Sequence, residues 1–400
     1  MKKLFSTIIL MFLLVLVGCT NSNNELPDLK NDDKVEMTSE QKLTFLQSVM
    51  NLGEATSKNF RLDTFINAEY AVTSNLEYES VNTMMQSNMT QSVSIDFDAT
   101  NYIEVGESHL DTYMYAKLNK LDLNVLSAEN STTTIYNDAT TNNNTYTLDF
   151  SLTDSFFLTK SDYAYYYLNG SRNVEVKENN VVLEDESSNK NYVEIKEKSL
   201  ENRITELIYQ EIIQKLDEFQ SMLEVDINLE MTPDERTKAL EALDNYVSIY
   251  SEGTTHTVRF LITTQMVSDL IDQTFDMLIL ELEDGLTLEK ATALKTTIKQ
   301  AIKSFDFDFR IVLKGELEGQ KQISQIMLMV KGDFSGFTLD MKDFDEMSLP
   351  VVLNVTVKLN KLGFILDYDA DKLTLPTAEE LNDFTEVEKA IISEDMDFGF

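Results

Sequence analysis

The sequence predicts an α+β fold built on a large antiparallel β-sheet that helices cover. Many segments of the 400-residue chain alternate apolar with polar residues, which is the period of a strand with one face in water. These segments come in two blocks, with helical segments before, between and after them. Neighbouring strands joined by short turns pair antiparallel, and their apolar faces need helices to cover them.

The first block begins with a helix and continues as strands. Thr38 and Gln41 have the spacing of a capping box, and the apolar residues that follow predict a helix to about Lys58. The period then changes to two in the segments 93–99 and 121–125, which predicts strands. Further strand signals lie near residues 162–168, 172–177 and 191–197.

A polar segment interrupts this block. Asn, Thr and Ser crowd residues 127–147, and such residues are common in turns and loops. We expect a long hairpin loop or a weak sheet edge there.

The middle of the chain is predicted to be helical. An apolar stripe from Ile204 to Leu223 forms one helix face, and Thr232-Pro233 supplies the cap and the first-turn proline of a second helix. Residues 257–263 predict a short strand that runs directly into a third helix. A fourth helix is predicted from about Leu288 to Lys303.

The second block gives the clearest strand signal. Residues 305–313 alternate Phe, Ile and Leu with mostly polar residues. A capped helix from Thr377 to about Ile391 closes the predicted fold. The other strands of this block are predicted at residues 321–331, 336–341, 351–359 and 364–368.

The N-terminus has the features of a bacterial export signal. Two lysines precede the apolar run Leu4–Val17, which is too short to cross a bilayer comfortably. The run ends in Leu16-Val17-Gly18-Cys19, which resembles the lipobox of bacterial lipoproteins. The resemblance implies removal of residues 1–18, a diacylglyceryl anchor on Cys19 with acyl chains such as palmitate, and an extracytoplasmic protein attached to the cell membrane. The alternatives are an ordinary secretory signal or a membrane anchor that contains a cysteine.

Cys19 is the only cysteine of the chain. Once it is acylated, the mature protein can form no disulfide and no thiolate metal site, so its stability must come from packing. Residues 19–37 are predicted to be a lipidated, flexible tether. The remaining predicted regions are 38–198, a helix with an antiparallel sheet; 199–393, a helical segment with an antiparallel sheet and a C-terminal helix; and 394–400, a tail.

The chain is strongly acidic. Its formal charge of -36 becomes -38 once Lys2 and Lys3 leave with the signal. Such a surface repels nucleic acid and anionic lipid headgroups, so we exclude nucleic-acid binding and assign membrane contact to the anchor. Carboxylates could attract divalent cations or basic partners, but a solubilising surface charge is the simpler interpretation.

The order of elements also resembles a known superfamily. A large, curved antiparallel sheet with helices on its concave side is similar to the lipoprotein-carrier superfamily. The similarity covers the arrangement over much of the chain, and no signature residue carries it. It implies a half-barrel-like sheet and carriage of a lipid or a lipidated protein. The chain is longer than one such unit, which allows two helix-plus-sheet halves.

Motifs for the common catalytic chemistries are absent from the sequence. It contains no His-Glu-x-x-His, no Gly-x-Ser-x-Gly and no Gly-rich phosphate loop. The two histidines, His109 and His256, lie among polar residues and are predicted to be solvated at the surface. We therefore predict a non-enzymatic protein without a cofactor.

A weak candidate metal site lies near the C-terminus. Asp367, Asp369 and Asp371 have the spacing of a calcium loop, but Lys372 and Ala378 stand where Gly and Glu are required. A row of carboxylates on the solvent face of a strand is the simpler interpretation, and no metal is predicted.

Aromatic and Met residues are the candidate ligand-binding groups. Tyr163, Tyr165 and Tyr167 share one strand face, where they could stack on sugar rings or a peptide if exposed, although core or a cavity wall is favoured. Flexible Met and Phe suit irregular apolar ligands, with an ordinary packed core as the alternative. These candidates are Phe305, Phe307, Phe309, Met327 and Met329.

Two functions of different classes remain open. The first is a lipoprotein that encloses a lipid, an acyl chain or a lipidated protein in an apolar cleft. The alternative is a surface lipoprotein that binds an envelope or host protein. An empty apolar cavity would favour the first, and a fully packed interior the second.

Overall fold

The computed structural model describes most of the chain between residues 26 and 387. The described residues are 26–49, 59–104, 106, 112–160, 163–198, 232–280, 288–317, 319, 321–340, 350–368, 370–371 and 373–387. The export signal, His109 and the helix predicted between Ile204 and Leu223 lie outside them.

The described residues form twelve strands, five α-helices and one short 3-10 helix. The strands are β1 (Asn59–Ser80), β2 (Thr83–Glu104), β3 (Tyr113–Ile135), β4 (Asp138–Lys160), β5 (Tyr163–Glu178), β6 (Val181–Lys198), β7 (Val247–Glu252), β8 (Thr255–Thr263), β9 (Ile302–Gly315), β10 (Lys321–Asp340), β11 (Val351–Asp367) and β12 (Thr385–Val387). The helices are the 3-10 helix Asn31–Asp33, α1 (Ser39–Val49), α2 (Pro233–Tyr246), α3 (Thr264–Leu280), α4 (Leu288–Ala301) and α5 (Ala378–Asn382).

All twelve strands belong to one open sheet, which confirms the predicted large antiparallel sheet. Their order is β12-β6-β5-β4-β3-β2-β1-β11-β10-β9-β8-β7. Only the contact of β12 with β6 is parallel. Strands from the N-terminal and C-terminal parts of the chain meet where β1 pairs with β11, from Arg61 opposite Asp367 to Leu76 opposite Val351.

Strands β1 to β4 are unusually long. Each contains 22 or 23 residues, which corresponds to about 75 Å of extended chain. The long loop and the weak sheet edge predicted for residues 127–147 are therefore both wrong, because β3 and β4 continue through this segment and lie between β2 and β5 in the sheet. Tyr136 and Asn137 form the connecting turn with φ of 49° and 75°, the left-handed values that a tight two-residue hairpin turn needs. The Thr residues of the segment favour the extended chain.

The helices agree with the predictions in type but not always in extent. β8 runs directly into α3 as predicted, whereas α4 ends at Ala301 and β9 begins at once. The C-terminal helix predicted to reach Ile391 ends at Asn382 instead, although Thr377 and Glu380 form its capping box. Thr385–Val387 then pairs with β6, so hydrogen bonds to a distant strand replace the helix.

The sheet has an apolar and a polar face, because residues paired across neighbouring strands point to the same side. We call the side of β9 that carries Phe305, Phe307 and Phe309 the apolar face. Phe305 and Phe307 pack there with Leu328 and Phe364 of the neighbouring strands. The reverse side, which we call the polar face, carries Asp308 and Arg310.

Helices cover the apolar face at the β7–β10 side of the sheet. Phe45 of α1 packs on Val247, Ile249, Val258 and Leu313, which are all buried. At the start of α3, the Thr264 hydroxyl accepts a hydrogen bond from the Phe305 amide at 2.8 Å. It also donates one to the Phe305 carbonyl at 3.1 Å. These contacts fix the helices over one side of the sheet.

The two ends of the described chain lie against the same sheet. Leu381 and Phe384 pack with Tyr115 and Leu158 on the polar face. At the other end, the Val35 amide donates a hydrogen bond of 2.8 Å to the Ile249 carbonyl of β7. Arg310 donates a hydrogen bond to the carbonyl of Pro27. The segment predicted as the tether therefore contacts the sheet from Pro27 onward.

Candidate ligand-binding surface

The described part of the chain leaves an apolar surface uncovered in the middle of the sheet. Three neighbouring rows of cross-strand partners on the apolar face run from β11 through β1, β2 and β3 to β4, and all fifteen side chains are apolar. We call these residues the uncovered rows: Leu362, Ile66, Phe97, Leu121 and Leu152; Leu359, Ala68, Ile95, Leu123 and Phe150; Val357, Tyr70, Val93, Val125 and Leu148.

None of the fifteen side chains is buried. Thirteen are partly exposed, while Tyr70 keeps 43% and Val93 36% of its surface in contact with solvent. Five strands spaced about 4.8 Å apart and three rows about 6.7 Å apart give a surface of about 19 Å by 13 Å. A single acyl chain could lie across a surface of this width.

The polar face behind the uncovered rows is charged. The Lys120 ammonium lies 2.8 Å from a carboxylate oxygen of Asp96 and 3.0 Å from one of Asp122. Burial, the largest single influence, would raise the pKa of Asp96, but the hydrogen bonds from Lys120 and Asn67 and the charges of Lys120 and Lys361 together outweigh it, and the pKa is lowered. The same two carboxylates raise the pKa of Lys120. The charged forms of Asp96 and Lys120 are therefore both stabilised on this side of the sheet, which faces water.

The predicted Phe and Met candidates lie on opposite sides of the sheet. Phe305, Phe307 and Phe309 are on the apolar face beside α3. Met327 pairs with Arg310 and Met329 with Gly363, so both point to the polar face, where they are 3% and 5% exposed. The two sets therefore do not line one surface.

The C-terminal segment covers the predicted tyrosine ladder on the polar face. The Tyr163 hydroxyl donates a hydrogen bond of 3.1 Å to Glu386. Phe384 makes an edge contact with Tyr165 at 5.6 Å between ring centroids, and Tyr167 stacks on Phe156 at 5.2 Å. Other residues of the same chain therefore contact all three tyrosines.

The three aspartates considered as a metal site are not brought together among the described residues. Asp367 accepts a hydrogen bond of 2.8 Å from Gln325, and Asp371 is exposed. Asp369 lies outside the description. No cluster of three His, Cys, Asp or Glu side chains suited to a metal ion occurs in the part of the chain that the structure covers.

His256 is buried, so the predicted surface position is wrong. Its side chain has no exposed surface, and its ring meets that of Phe45 edge-on at 6.0 Å. The Gly315 carbonyl, 3.0 Å away, can only accept, so Nε2 donates to it. The Ser251 hydroxyl, 2.9 Å from Nδ1, is the second hydrogen-bond partner of the ring. Partners that are distant in sequence therefore make this polar side chain part of the core.

A buried carboxyl group lies on the polar face near the start of β1. Asp63 is 8% exposed and pairs with Arg61 at 2.9 Å. Burial raises the pKa of Asp63 to about 6, although the hydrogen bond and charge of Arg61 act in the opposite direction. The nearby carboxylates of Asp98 and Asp367 raise it further.

We expect Asp63→Asn to stabilise the protein at pH 7.5 and to flatten its pH dependence. Since the folded pKa lies above the unfolded value, the contribution of Asp63 is most favourable below pH 4 and is lost as pH rises through about 6. The shift sets an upper limit of about 3 kcal/mol, and loss of the Arg61 pair reduces the gain to about 1–2 kcal/mol. Urea unfolding at several pH values measures both effects.

Asp96→Asn is the matched control, because the pKa of Asp96 is lowered. It should not stabilise the protein at pH 7.5. If the free energy of unfolding of Asp63→Asn depended on pH as it does in the wild type, Asp63 would not be the group that titrates with the raised pKa.

Comparison with known proteins provides no family for this chain. No family model and no curated protein match it. Among solved structures, the translocator domain of the autotransporter NalP from Neisseria meningitidis matches at 6% identity and a TM-score of 0.10, covering 82% of this chain and 95% of that one. The outer membrane protein opdK from Pseudomonas aeruginosa matches at 8% identity and a TM-score of 0.11, covering 76% and 98%. Similarity this low supports no argument about fold or function.

Within the described residues, no helix combines the length and the apolar character needed to cross a bilayer.

Proposed function

We propose that this chain is the precursor of a membrane-anchored, extracytoplasmic lipoprotein whose mature part is not an enzyme and binds a hydrophobic ligand such as a lipid or an acyl chain. The observation that carries the proposal is the set of fifteen apolar side chains in the uncovered rows, none of which is buried.

An uncovered surface of this kind is costly in water. Its plane measures about 250 Å², close to the few hundred Å² of the largest apolar patch on a typical soluble monomer, and patches of that size often have a binding role. Covering it completely would be worth about 6 kcal/mol at 25 cal/mol per Å². A flexible acyl chain can follow the pleated surface, and each buried methylene contributes about 0.8 kcal/mol.

The position of the helices fits this function. They cover the apolar face on the β7–β10 side and stop before the uncovered rows, so a ligand would continue the same apolar layer. We further propose that the sheet curves around this layer as in the lipoprotein carriers, with the helices on its concave side. Attachment through Cys19 would hold the binding surface close to a source of lipid.

A charge placed in the uncovered rows tests the proposal. Val93→Lys puts an ammonium group among apolar neighbours, and we expect at least tenfold weaker binding of a fluorescent fatty acid by the mature chain, residues 20–400. The reason is that the charge would lose water when the acyl chain covers it.

Ser92→Lys is the matched control, because it adds the same charge to the adjacent residue on the polar face. It should bind the fatty acid like the wild type. Equal binding by Val93→Lys and the wild type, with unchanged circular dichroism, would rule out the uncovered rows as the ligand site.

A further inference from the structure

Residues 27–35 of the N-terminal segment are fixed on the sheet, and we call them the strap. The Val35 amide donates a hydrogen bond of 2.8 Å to the carbonyl of Ile249, which is 1% exposed. Lys34 forms an antiparallel β-bridge with Tyr250, the next residue of the edge strand β7. Backbone groups of the strap therefore pair with the edge of the sheet.

A buried arginine holds the start of the strap. Arg310 is 6% exposed, and its Nε and Nη2 donate hydrogen bonds of 3.0 and 2.7 Å to the Asp308 carboxylate. The remaining guanidinium nitrogen, Nη1, donates to the carbonyl of Pro27. Because a buried donor without an acceptor is costly, the Pro27 carbonyl and the guanidinium stabilise each other's position.

The strap limits how far the sheet can move from a lipid group on Cys19. Seven residues, 20–26, separate Cys19 from Pro27, so their Cα atoms lie at most about 28 Å apart whatever the conformation between them. Without the strap, the first element fixed on the sheet would be α1, where Phe45 packs into the core. The chain from Cys19 to Thr38 would then span up to about 65 Å. Docking of the strap therefore shortens the reach of the anchor by more than half.

We propose that the strap holds one end of the sheet, the end with the β7–β8 turn, next to the bilayer that contains the anchor. The proposal rests on lipid attachment to Cys19, which is part of the proposed function. Thr254 lies in that turn, and its neighbour Thr255 is opposite Lys314, only four residues beyond Arg310 on β9. The β7–β8 turn is therefore about 15 Å from the arginine that holds the start of the strap.

The same geometry places the uncovered rows near the end that the strap holds. Cross-strand partners put Arg310 level with Asp63 of β1. The uncovered rows cross β1 from Ile66 to Tyr70, about 10–23 Å farther along the strand. Val81 in the β1–β2 turn, which is 98% exposed, is about 60 Å along β1 from Asp63. The proposed ligand surface is therefore closer to the membrane-near end of the sheet than to the remote end.

Energy transfer to labelled lipid tests the proposal on the complete lipidated chain. Cys19 is the only cysteine and its sulfur carries the lipid, so a cysteine introduced at the exposed Thr254 or Val81 can be labelled alone with a donor dye. The protein is reconstituted into phosphatidylcholine vesicles whose headgroups carry the acceptor dye. We expect efficient transfer from Thr254→Cys and at least twofold weaker transfer from Val81→Cys.

Two insertions of the same flexible segment form a matched pair. About 12 Gly and Ser residues between Glu25 and Leu26 lengthen the free tether by about 20 Å on average and should lower the transfer from Thr254→Cys. The same insertion between Glu36 and Met37 follows the strap. It should leave the transfer unchanged, because the strap stays docked and the added residues form only a longer loop.

Equal effects of the two insertions on the transfer would overturn the strap, because only a docked strap makes their positions matter. Equal transfer from the two label positions would overturn the assignment of the membrane-near end. Mass spectrometry of the N-terminal peptide separates these failures from failure of the anchor. A peptide without the diacylglyceryl group would refute lipid attachment and the role of the strap with it, whereas a lipidated chain with equal insertion effects refutes only the strap.

Discussion

Gly363→Ala is expected to destabilise the protein by about 3 kcal/mol or more. A Cβ atom at this position of β11 would overlap the backbone carbonyl oxygen of Leu328 and lie 2.9 Å from the ring of Phe65. The Leu328 carbonyl belongs to the neighbouring strand β10, and Phe65 is 1% exposed, so neither neighbour can move away easily. The midpoint of urea unfolding measures the loss.

Gly253→Ala is the control for a general effect of replacing glycine. Gly253 has φ of 63°, and a Cβ atom there would meet nothing within 4 Å. Its replacement should cost only the left-handed backbone penalty of about 1–2 kcal/mol. A smaller loss for Gly363→Ala than for Gly253→Ala would show that β10 and β11 do not approach as closely as described.

Asp308→Ala is the second substitution with a large expected effect. Asp308 is 8% exposed and accepts hydrogen bonds from Arg310 and Arg259, each 2.7 Å away at the closest nitrogen. Without the carboxylate, the guanidinium of Arg310, which is 6% exposed, loses its ion-pair partner. Removal of one member of a buried ion pair costs about 3–5 kcal/mol, and we expect a loss near the lower limit because Arg259 is partly in water.

The pH dependence of this cluster is opposite to that of Asp63. Burial, the largest single influence, would raise the pKa of Asp308, but the hydrogen bonds and charges of Arg310 and Arg259 together outweigh it and lower the pKa. The contribution of Asp308 is therefore present at neutral pH and is lost as pH falls below the ordinary aspartate range. Acid unfolding of Asp308→Ala should be less steep than that of the wild type.

Asp306→Ala is the matched control for this cluster, because Asp306 is exposed on the same face of the same strand. It should change the free energy of unfolding by no more than about 0.5 kcal/mol. Equal losses for the two variants would mean that the Arg259–Asp308–Arg310 cluster is not a buried ion pair.

Strand periodicity in the sequence predicts the sheet well where apolar and polar residues alternate regularly. The alternation in residues 93–99 and 305–313 identifies β2 and β9, because successive side chains of a strand point to opposite faces of the sheet. The hairpin through Tyr136 and Asn137 was missed, since its strands carry Thr, Asn and Ser on both faces and give no period. Its turn also lacks the Asn-Gly pair that commonly signals a tight hairpin.

Contacts between distant residues explain the other differences. The C-terminal helix ends early because residues 385–387 pair with β6, and no local signal marks that strand. His256 is buried by Phe45 and Gly315, which lie far away in sequence. Both outcomes depend on the tertiary structure.

The candidate ligand surface could be predicted only in part. The sequence identifies the apolar side of β2 and β3, for example at Val93 and Val125. It does not indicate which part of that side the helices leave uncovered, because this depends on where α1 and α3 dock. The residues chosen from sequence as ligand-binding candidates were aromatic and Met side chains, several of which the chain covers itself.

Native mass spectrometry of the mature chain without its anchor tests the central claim most directly. Residues 20–400 would be measured as purified, after removal of lipid, and after incubation with phospholipid or fatty acid. If the uncovered rows bind a hydrophobic ligand, the removed mass should return on incubation with lipid, and Val93→Lys should reduce it while Ser92→Lys does not. A protein that carries and takes up no lipid at any of these stages would contradict the proposed function.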